Sequence, residues 1–106
     1  DNAFNSGGET VFPEVIKSRL NDFIFNTKIP IKNFVISKIP NKEWGNKIKI
    51  ILNFNEKTKK TKIEYSLKLL QEFSKNWPKH ERPETWIIGK NQSDQIKESN
   101  YIFKKG

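Results

Sequence analysis

Residues 1–14 read Asp1-Asn2-Ala3-Phe4-Asn5-Ser6-Gly7-Gly8-Glu9-Thr10-Val11-Phe12-Pro13-Glu14. This stretch predicts a polar turn, a glycine pair and then a helix that begins at Pro13. Adjacent glycines let the backbone adopt positive φ and leave no side chain in the path of a ligand. Proline suits the first turn of a helix because its missing N–H would be unpaired there. A glycine loop of this kind is typical of the interior of a working protein, so we expect the chain to be part of a larger one.

Hydrophobic periodicity predicts two helices and three strands in the rest of the chain. The helices are expected at 13 to about 26 or 27 and at 65–76, and the strands at 33–39, 47–54 and 85–88. The second strand has the clearest alternation, since Ile48, Ile50 and Leu52 point to one side and the intervening residues to the other.

The remaining segments are polar. Residues 56–62 are a charged run that we expect to form an exposed loop, and residues 89–106 are expected to form a polar, lysine-rich tail. The order of elements predicts a single α+β domain spanning residues 1–106. It should contain a small, mostly antiparallel three-stranded sheet with two helices packed on it, plus an N-terminal hairpin and a polar C-terminal tail.

Composition narrows the possible functions. Apolar residues are only 34% of the 106, but they include fourteen isoleucines, eight phenylalanines and three tryptophans, which favours a folded domain with a polar surface. The absence of cysteine excludes disulfides and thiolate chemistry, and His80, the single histidine, makes a histidine metal cluster implausible. We therefore expect no metal site. No apolar run approaches the length of a membrane span, so we expect a cytoplasmic protein without a membrane partner.

The net charge of +8 raises the possibility of a nucleic-acid partner. Only Arg19 and Arg82 are arginines, however, and lysine lacks the planar fork that reads phosphates and bases. A solvated lysine coat is therefore the favoured interpretation, and no nucleic-acid partner is expected. The alternative is a basic α+β module that uses Trp44 and Trp86 as stacking groups.

Four motifs in order resemble a known family: Asp1-Asn2-x-Phe4-x-Ser6-Gly7-Gly8-Glu9, Phe12-Pro13-Glu14, Ile39-Pro40-Asn41-Lys42-Glu43-Trp44-Gly45 and Arg82-Pro83. Together they are similar to the C-terminal domain of the acyl-adenylate-forming (AMP-binding) superfamily, over essentially the whole chain. That superfamily includes acyl-CoA synthetases, peptide-synthetase adenylation domains and luciferases. The opening motif is most similar to that of the o-succinylbenzoate–CoA ligases of menaquinone biosynthesis.

The resemblance implies a two-step ligase. With ATP and Mg²⁺ the enzyme forms an acyl-adenylate from a small carboxylic acid, and with coenzyme A it then forms a thioester. A large N-terminal adenylation domain, the expected partner of this chain, would bind ATP and the acid. The C-terminal domain would act as a lid that swings between two poses, one for each step. The fragment alone is expected to be inactive and to bind no cofactor tightly. Another acyl- or aminoacyl-adenylating enzyme remains an alternative.

The resemblance also assigns residues. Asp1 matches the hinge, and Gly7 and Gly8 match the loop that lines the pantetheine tunnel. Trp44 and Arg82 match positions that lie near coenzyme A or its phosphates in some relatives. Each has a structural alternative: a tight turn for the glycines, packing on its own hairpin for Trp44, and a surface ion pair for Arg82.

The catalytic lysine is assigned to Lys97, which aligns best when counted from Trp86. The family usually has glycine before this lysine, whereas Ile96 stands here and Glu98 follows. Lys90 follows Gly89 and is the alternative, although it lies close to the last predicted strand. A lysine suits this role because its mobile ammonium can neutralise the charge that develops on the carboxylate and α-phosphate.

Overall fold

A computed structural model of the protein describes residues 2–89 in full and residues 98–104 by their backbone. Two helices and two sheets confirm the predicted α+β class, and an antiparallel pair at the start confirms the hairpin. The strands and helices are β1 (Phe4–Ser6), β2 (Glu9–Val11), α1 (Pro13–Thr27), β3 (Ile31–Asn41), β4 (Gly45–Phe54), α2 (Lys60–Ser74), β5 (Pro83–Gly89) and β6 (Glu98–Lys104). A 3₁₀ turn at Lys79–Glu81 precedes β5.

The larger sheet is mixed, so the prediction of a mostly antiparallel sheet is wrong. Strands β3 and β4 pair antiparallel, whereas β4 and β5 pair parallel, with Ile50 opposite Trp86. The reason is the crossover through α2, which returns the chain to the same end of the sheet so that β5 runs in the direction of β4. Strand β6 then pairs antiparallel with β5 and occupies part of the segment predicted to be a polar tail.

The second helix begins earlier than predicted. It starts at Lys60, inside the charged run predicted to be a loop. Lysine has good helix propensity, and an exposed first turn needs no apolar residue, so hydrophobic periodicity does not report it. The first helix ends at Thr27, in agreement with the prediction, where Lys28 adopts a left-handed conformation with φ 59°. Within the described residues no helix is long and apolar enough to cross a bilayer.

Both helices pack on one face of the larger sheet. The buried core there combines Ile16 and Leu20 of α1 with Leu67 and Leu70 of α2, and it includes alternate residues of β4. Trp86 lies in this core with no exposed surface. It therefore cannot stack on a base, which removes one of the two aromatic groups invoked for nucleic-acid binding.

A cluster of rings and charges joins the two helices to the 3₁₀ turn. Phe23 stacks on Phe73 with ring centroids 4.1 Å apart, and Trp77 meets Phe73 edge-on. The Arg19 guanidinium lies 4.9 Å from the centroid of Trp77 and forms a 2.9 Å ion pair with Glu81. These contacts fix the position of the 3₁₀ turn, and therefore of the residues that it presents beside the N-terminal hairpin.

Candidate functional site

The glycine pair forms the tip of the β1–β2 hairpin. Gly7 and Gly8 have φ of 60° and 82°, and Ser6 pairs with Glu9 on either side of them. Two successive residues with positive φ favour glycine because side chains there are strained. The tight turn, which is the alternative to a ligand-binding role for the two glycines, is therefore present, and its backbone favours glycine at both positions.

The two glycines differ in what surrounds them. A Cβ on Gly7 would overlap the six-membered ring of Trp44, and the Gly7 N–H donates to the Trp44 carbonyl at 2.9 Å. A Cβ on Gly8 would meet nothing within 4 Å. The absence of a side chain at Gly7 therefore lets the Trp44 ring pack against the turn, whereas Gly8 faces open space that a ligand can approach.

Hydrogen bonds fix the hairpin on the β3–β4 turn. The buried Ser6 hydroxyl donates to the Asn46 carbonyl at 2.7 Å, and the Asn46 side-chain amide donates to the Asn5 carbonyl at 3.0 Å. Within the turn, the Asn41 side-chain oxygen accepts from the Trp44 N–H at 2.8 Å. Asparagine favours such turns because its short side chain can bond to the backbone that follows it. Trp44 is consequently held by one local contact, from Asn41, and by the distant hairpin, whose Gly7 N–H bonds to the Trp44 carbonyl.

Two lysines approach the ring of Trp44. The Lys47 ammonium lies 4.3 Å from the ring centroid and that of Lys79 lies 5.5 Å from it. Trp44 is half-buried: its six-membered ring lies against Gly7 of the β1–β2 hairpin, while part of its surface stays accessible. Sequence reasoning missed both lysines. Lys47 stands only three residues after Trp44, and this spacing could have suggested a contact with the ring. No local signal links Lys79 to this turn.

Arg82 has a structural contact. Its Nε donates to the Trp77 carbonyl at 2.7 Å, which ties the segment after α2 to the start of β5. The acids on either side of it pair with other cations: Glu81 with Arg19 at 2.9 Å and Glu84 with Lys47 at 3.7 Å. The flanking carboxylates thus contact cations other than Arg82.

Three of the predicted site residues lie outside the described residues. They are Asp1, assigned as the hinge, and Lys97 and Lys90, the two candidates for the catalytic lysine. Their roles remain predictions. In the part of the chain that the structure describes, no group of three or more histidine, cysteine or acidic side chains is placed to hold a metal ion.

We predict that Gly7→Ala destabilises the protein more than Gly8→Ala. Both add a side chain at positive φ, which costs about 1 kcal/mol, but only the Gly7 variant must also displace Trp44. The free energy of unfolding should fall by roughly 2–3 kcal/mol for Gly7→Ala and by about 1 kcal/mol for Gly8→Ala. Urea unfolding followed by tryptophan fluorescence measures both, and equal losses would contradict the proposed contact.

Comparison with known proteins gives a structural match. No family model and no curated protein matches the sequence. An acyl-CoA synthetase (AMP-forming)/AMP-acid ligase II-like protein from Dyadobacter fermentans matches 91% of this chain with 21% identity and a TM-score of 0.67. The fold is shared with AMP-forming acyl-CoA synthetases.

Two further structures support this likeness. An o-succinylbenzoate CoA synthetase (MenE) from Bacillus subtilis, solved with its acyl-adenylate intermediate, matches 82% of this chain at 16% identity and a TM-score of 0.57. A Mycobacterium tuberculosis fatty acyl CoA synthetase matches 90% at 19% identity and a TM-score of 0.52. This chain spans 27%, 16% and 18% of the three structures in turn, and it corresponds to the C-terminal part of such ligases.

Proposed function

We propose that this chain is the C-terminal lid of an ATP-dependent acid–CoA ligase. The observation that carries the proposal is the exposed glycine turn beside a half-buried tryptophan, on a fold shared with acyl-CoA synthetases. Its partner in the same protein is an N-terminal adenylation domain, which binds ATP, Mg²⁺ and the carboxylic acid. The lid completes the site for each of the two steps.

The hairpin and Trp44 serve the second step. Gly8 leaves room for the thin pantetheine arm of coenzyme A, which a side chain at this position would obstruct. Trp44 offers ring surface beside that path. In this step the coenzyme A sulfur attacks the acyl carbonyl of the adenylate, AMP leaves with the bonding electron pair, and the thiol proton passes to solvent. The contribution of the lid is to orient the thiol and exclude water, which would otherwise hydrolyse the adenylate.

A lysine from the other end of the chain serves the first step. We assign Lys97 this role, with Lys90 as the alternative, and Asp1 the role of hinge between the two poses. Arg82 directly follows the 3₁₀ turn that carries Lys79, and we assign it to the coenzyme A side of the lid. Its bond to the Trp77 carbonyl orders the segment between α2 and β5.

The proposed acid is o-succinylbenzoate, which would place the enzyme in menaquinone biosynthesis in the cytoplasm. Two observations support this choice: the opening motif Asp1-Asn2-x-Phe4-x-Ser6-Gly7-Gly8-Glu9 and the structural likeness to the Bacillus subtilis synthetase. The likeness to a fatty acyl CoA synthetase makes a fatty acid the competing substrate.

An exchange assay on the full-length ligase tests the proposal. ATP–pyrophosphate exchange is measured with o-succinylbenzoate, a long-chain fatty acid and an amino acid, each followed by addition of coenzyme A. We expect exchange with o-succinylbenzoate and thioester formation once coenzyme A is added. Exchange with the fatty acid alone would correct the acid, and absence of exchange with all three would contradict a ligase lid.

A further inference from the structure

We propose that Lys47 and Lys79 form a phosphate-binding pair that determines the affinity of the lid for coenzyme A. The two ammonium groups lie 4.3 Å and 5.5 Å from the centroid of Trp44. They come from different elements, Lys47 from β4 and Lys79 from the 3₁₀ turn, and they meet at one ring. This inference rests on the proposed function, because it assigns residues to coenzyme A at the same site.

The combination of groups suits a nucleotide. An indole face can stack on a purine base, and ammonium groups beside it are placed to bind the phosphates. Coenzyme A carries both parts, an adenine base and three phosphate groups. A ring alone would accept any flat ligand, whereas a ring with two adjacent cations favours an anionic one.

The present partners of the lysines are weak enough for a phosphate to displace. Lys47 lies 3.7 Å from the Glu84 carboxylate, and this carboxylate is 48% exposed. A long, exposed ion pair contributes little to stability. Lys79 is itself exposed, and its contact with the ring is longer than that of Lys47. Each ammonium can therefore turn from the ring towards a phosphate oxygen.

Arg82 is less suited to provide this charge. Its Nε is bonded to the Trp77 carbonyl at 2.7 Å, which directs the guanidinium towards the chain segment that it ties down. The residue two positions later is the acidic Glu84, whose carboxylate would repel a phosphate unless Lys47 neutralises it. Lys47 thus has two roles in the proposal: its positive charge near Glu84 reduces this repulsion even without a direct contact, and its ammonium is available to a phosphate at the ring.

Kinetics of the thiolation step in the full-length ligase test the pair. Preformed acyl-adenylate is supplied, so that only acyl transfer to coenzyme A is measured. Lys47→Gln and Lys79→Gln should each raise KM for coenzyme A roughly tenfold with little change in kcat, since a charged hydrogen bond to a phosphate is lost. The double variant should raise the KM for coenzyme A further, whereas Lys47→Arg, which keeps the charge, should retain most of the affinity. The increases in KM should be smaller at high salt.

The matched control is Lys68→Gln, which removes the same charge from an exposed position on α2. Thermal unfolding of every variant checks that the fold is intact. A normal KM in both lysine variants, or an equal rise in Lys68→Gln, would overturn the pair while leaving the proposed function in place. A wild-type enzyme that forms no thioester would contradict the proposed function, and the pair would then lose its ligand.

Discussion

Gly8→Leu should slow thioester formation by the full-length ligase roughly 100-fold while acyl-adenylate formation continues. The physical reason is the open space beside Gly8, where an added Cβ meets nothing within 4 Å. The Cβ of a leucine at this position meets no neighbour in the free hairpin, and the rest of the side chain would occupy the proposed path of the pantetheine arm. Positive φ at this position adds a strain of about 1 kcal/mol, which the core of the domain should tolerate. Steady-state production of acyl-CoA, measured beside ATP–pyrophosphate exchange, separates the two effects.

The control for this variant is Thr10→Leu, which adds the same side chain at an exposed position of the same hairpin. Its thioester formation should stay close to wild type. A proportional loss of both half-reactions in Gly8→Leu would indicate a misfolded lid, and an equal thioester loss in Thr10→Leu would indicate a general sensitivity of the hairpin. Either result would contradict a specific role for Gly8.

Lys97→Ala should give the opposite pattern in the same enzyme. Adenylate formation should fall by roughly 100- to 1,000-fold, since a preorganised charge that stabilises the developing transition state is removed. Transfer of preformed acyl-adenylate to coenzyme A should survive, because we propose that this step uses the face with Gly8 and Trp44 and not Lys97. ATP–pyrophosphate exchange measures the first effect, and single-turnover thiolation measures the second.

Lys90→Ala is the matched control, since it removes the other candidate lysine. We expect it to retain near wild-type exchange. If Lys90→Ala loses exchange while Lys97→Ala keeps it, the catalytic assignment moves to Lys90. If neither variant loses exchange, the lysine of the first step lies elsewhere and the assignment is wrong.

Local signals predicted the elements that position the site. Gly7 and Gly8 predicted a turn because glycine accepts positive φ readily, and Pro13 predicted the start of α1 for an equally local reason. Trp44 was identified as a functional candidate from its motif. The motif does not report its double role, packing on Gly7 while keeping accessible surface, because that role depends on how the hairpin lies against the β3–β4 turn.

Features that depend on distant parts of the chain were not predictable in this way. The parallel pairing of β4 and β5 follows from the crossover through α2, which alternation within either strand does not report. The burial of Trp86 also depends on distant residues. It results from the packing of the helices on the sheet, which the sequence around Trp86 does not report. Lys79 reaches Trp44 because the Arg19–Glu81 ion pair and the Trp77 contacts fix the 3₁₀ turn.

We propose that the hairpin face carrying Gly8 serves acyl transfer to coenzyme A. The most direct test is a single-turnover measurement, in which wild-type and Gly8→Leu ligase are loaded with preformed o-succinylbenzoyl adenylate and mixed with coenzyme A. We expect thioester formation to be roughly 100-fold slower in Gly8→Leu at saturating coenzyme A. Equal rates in the two enzymes would contradict it.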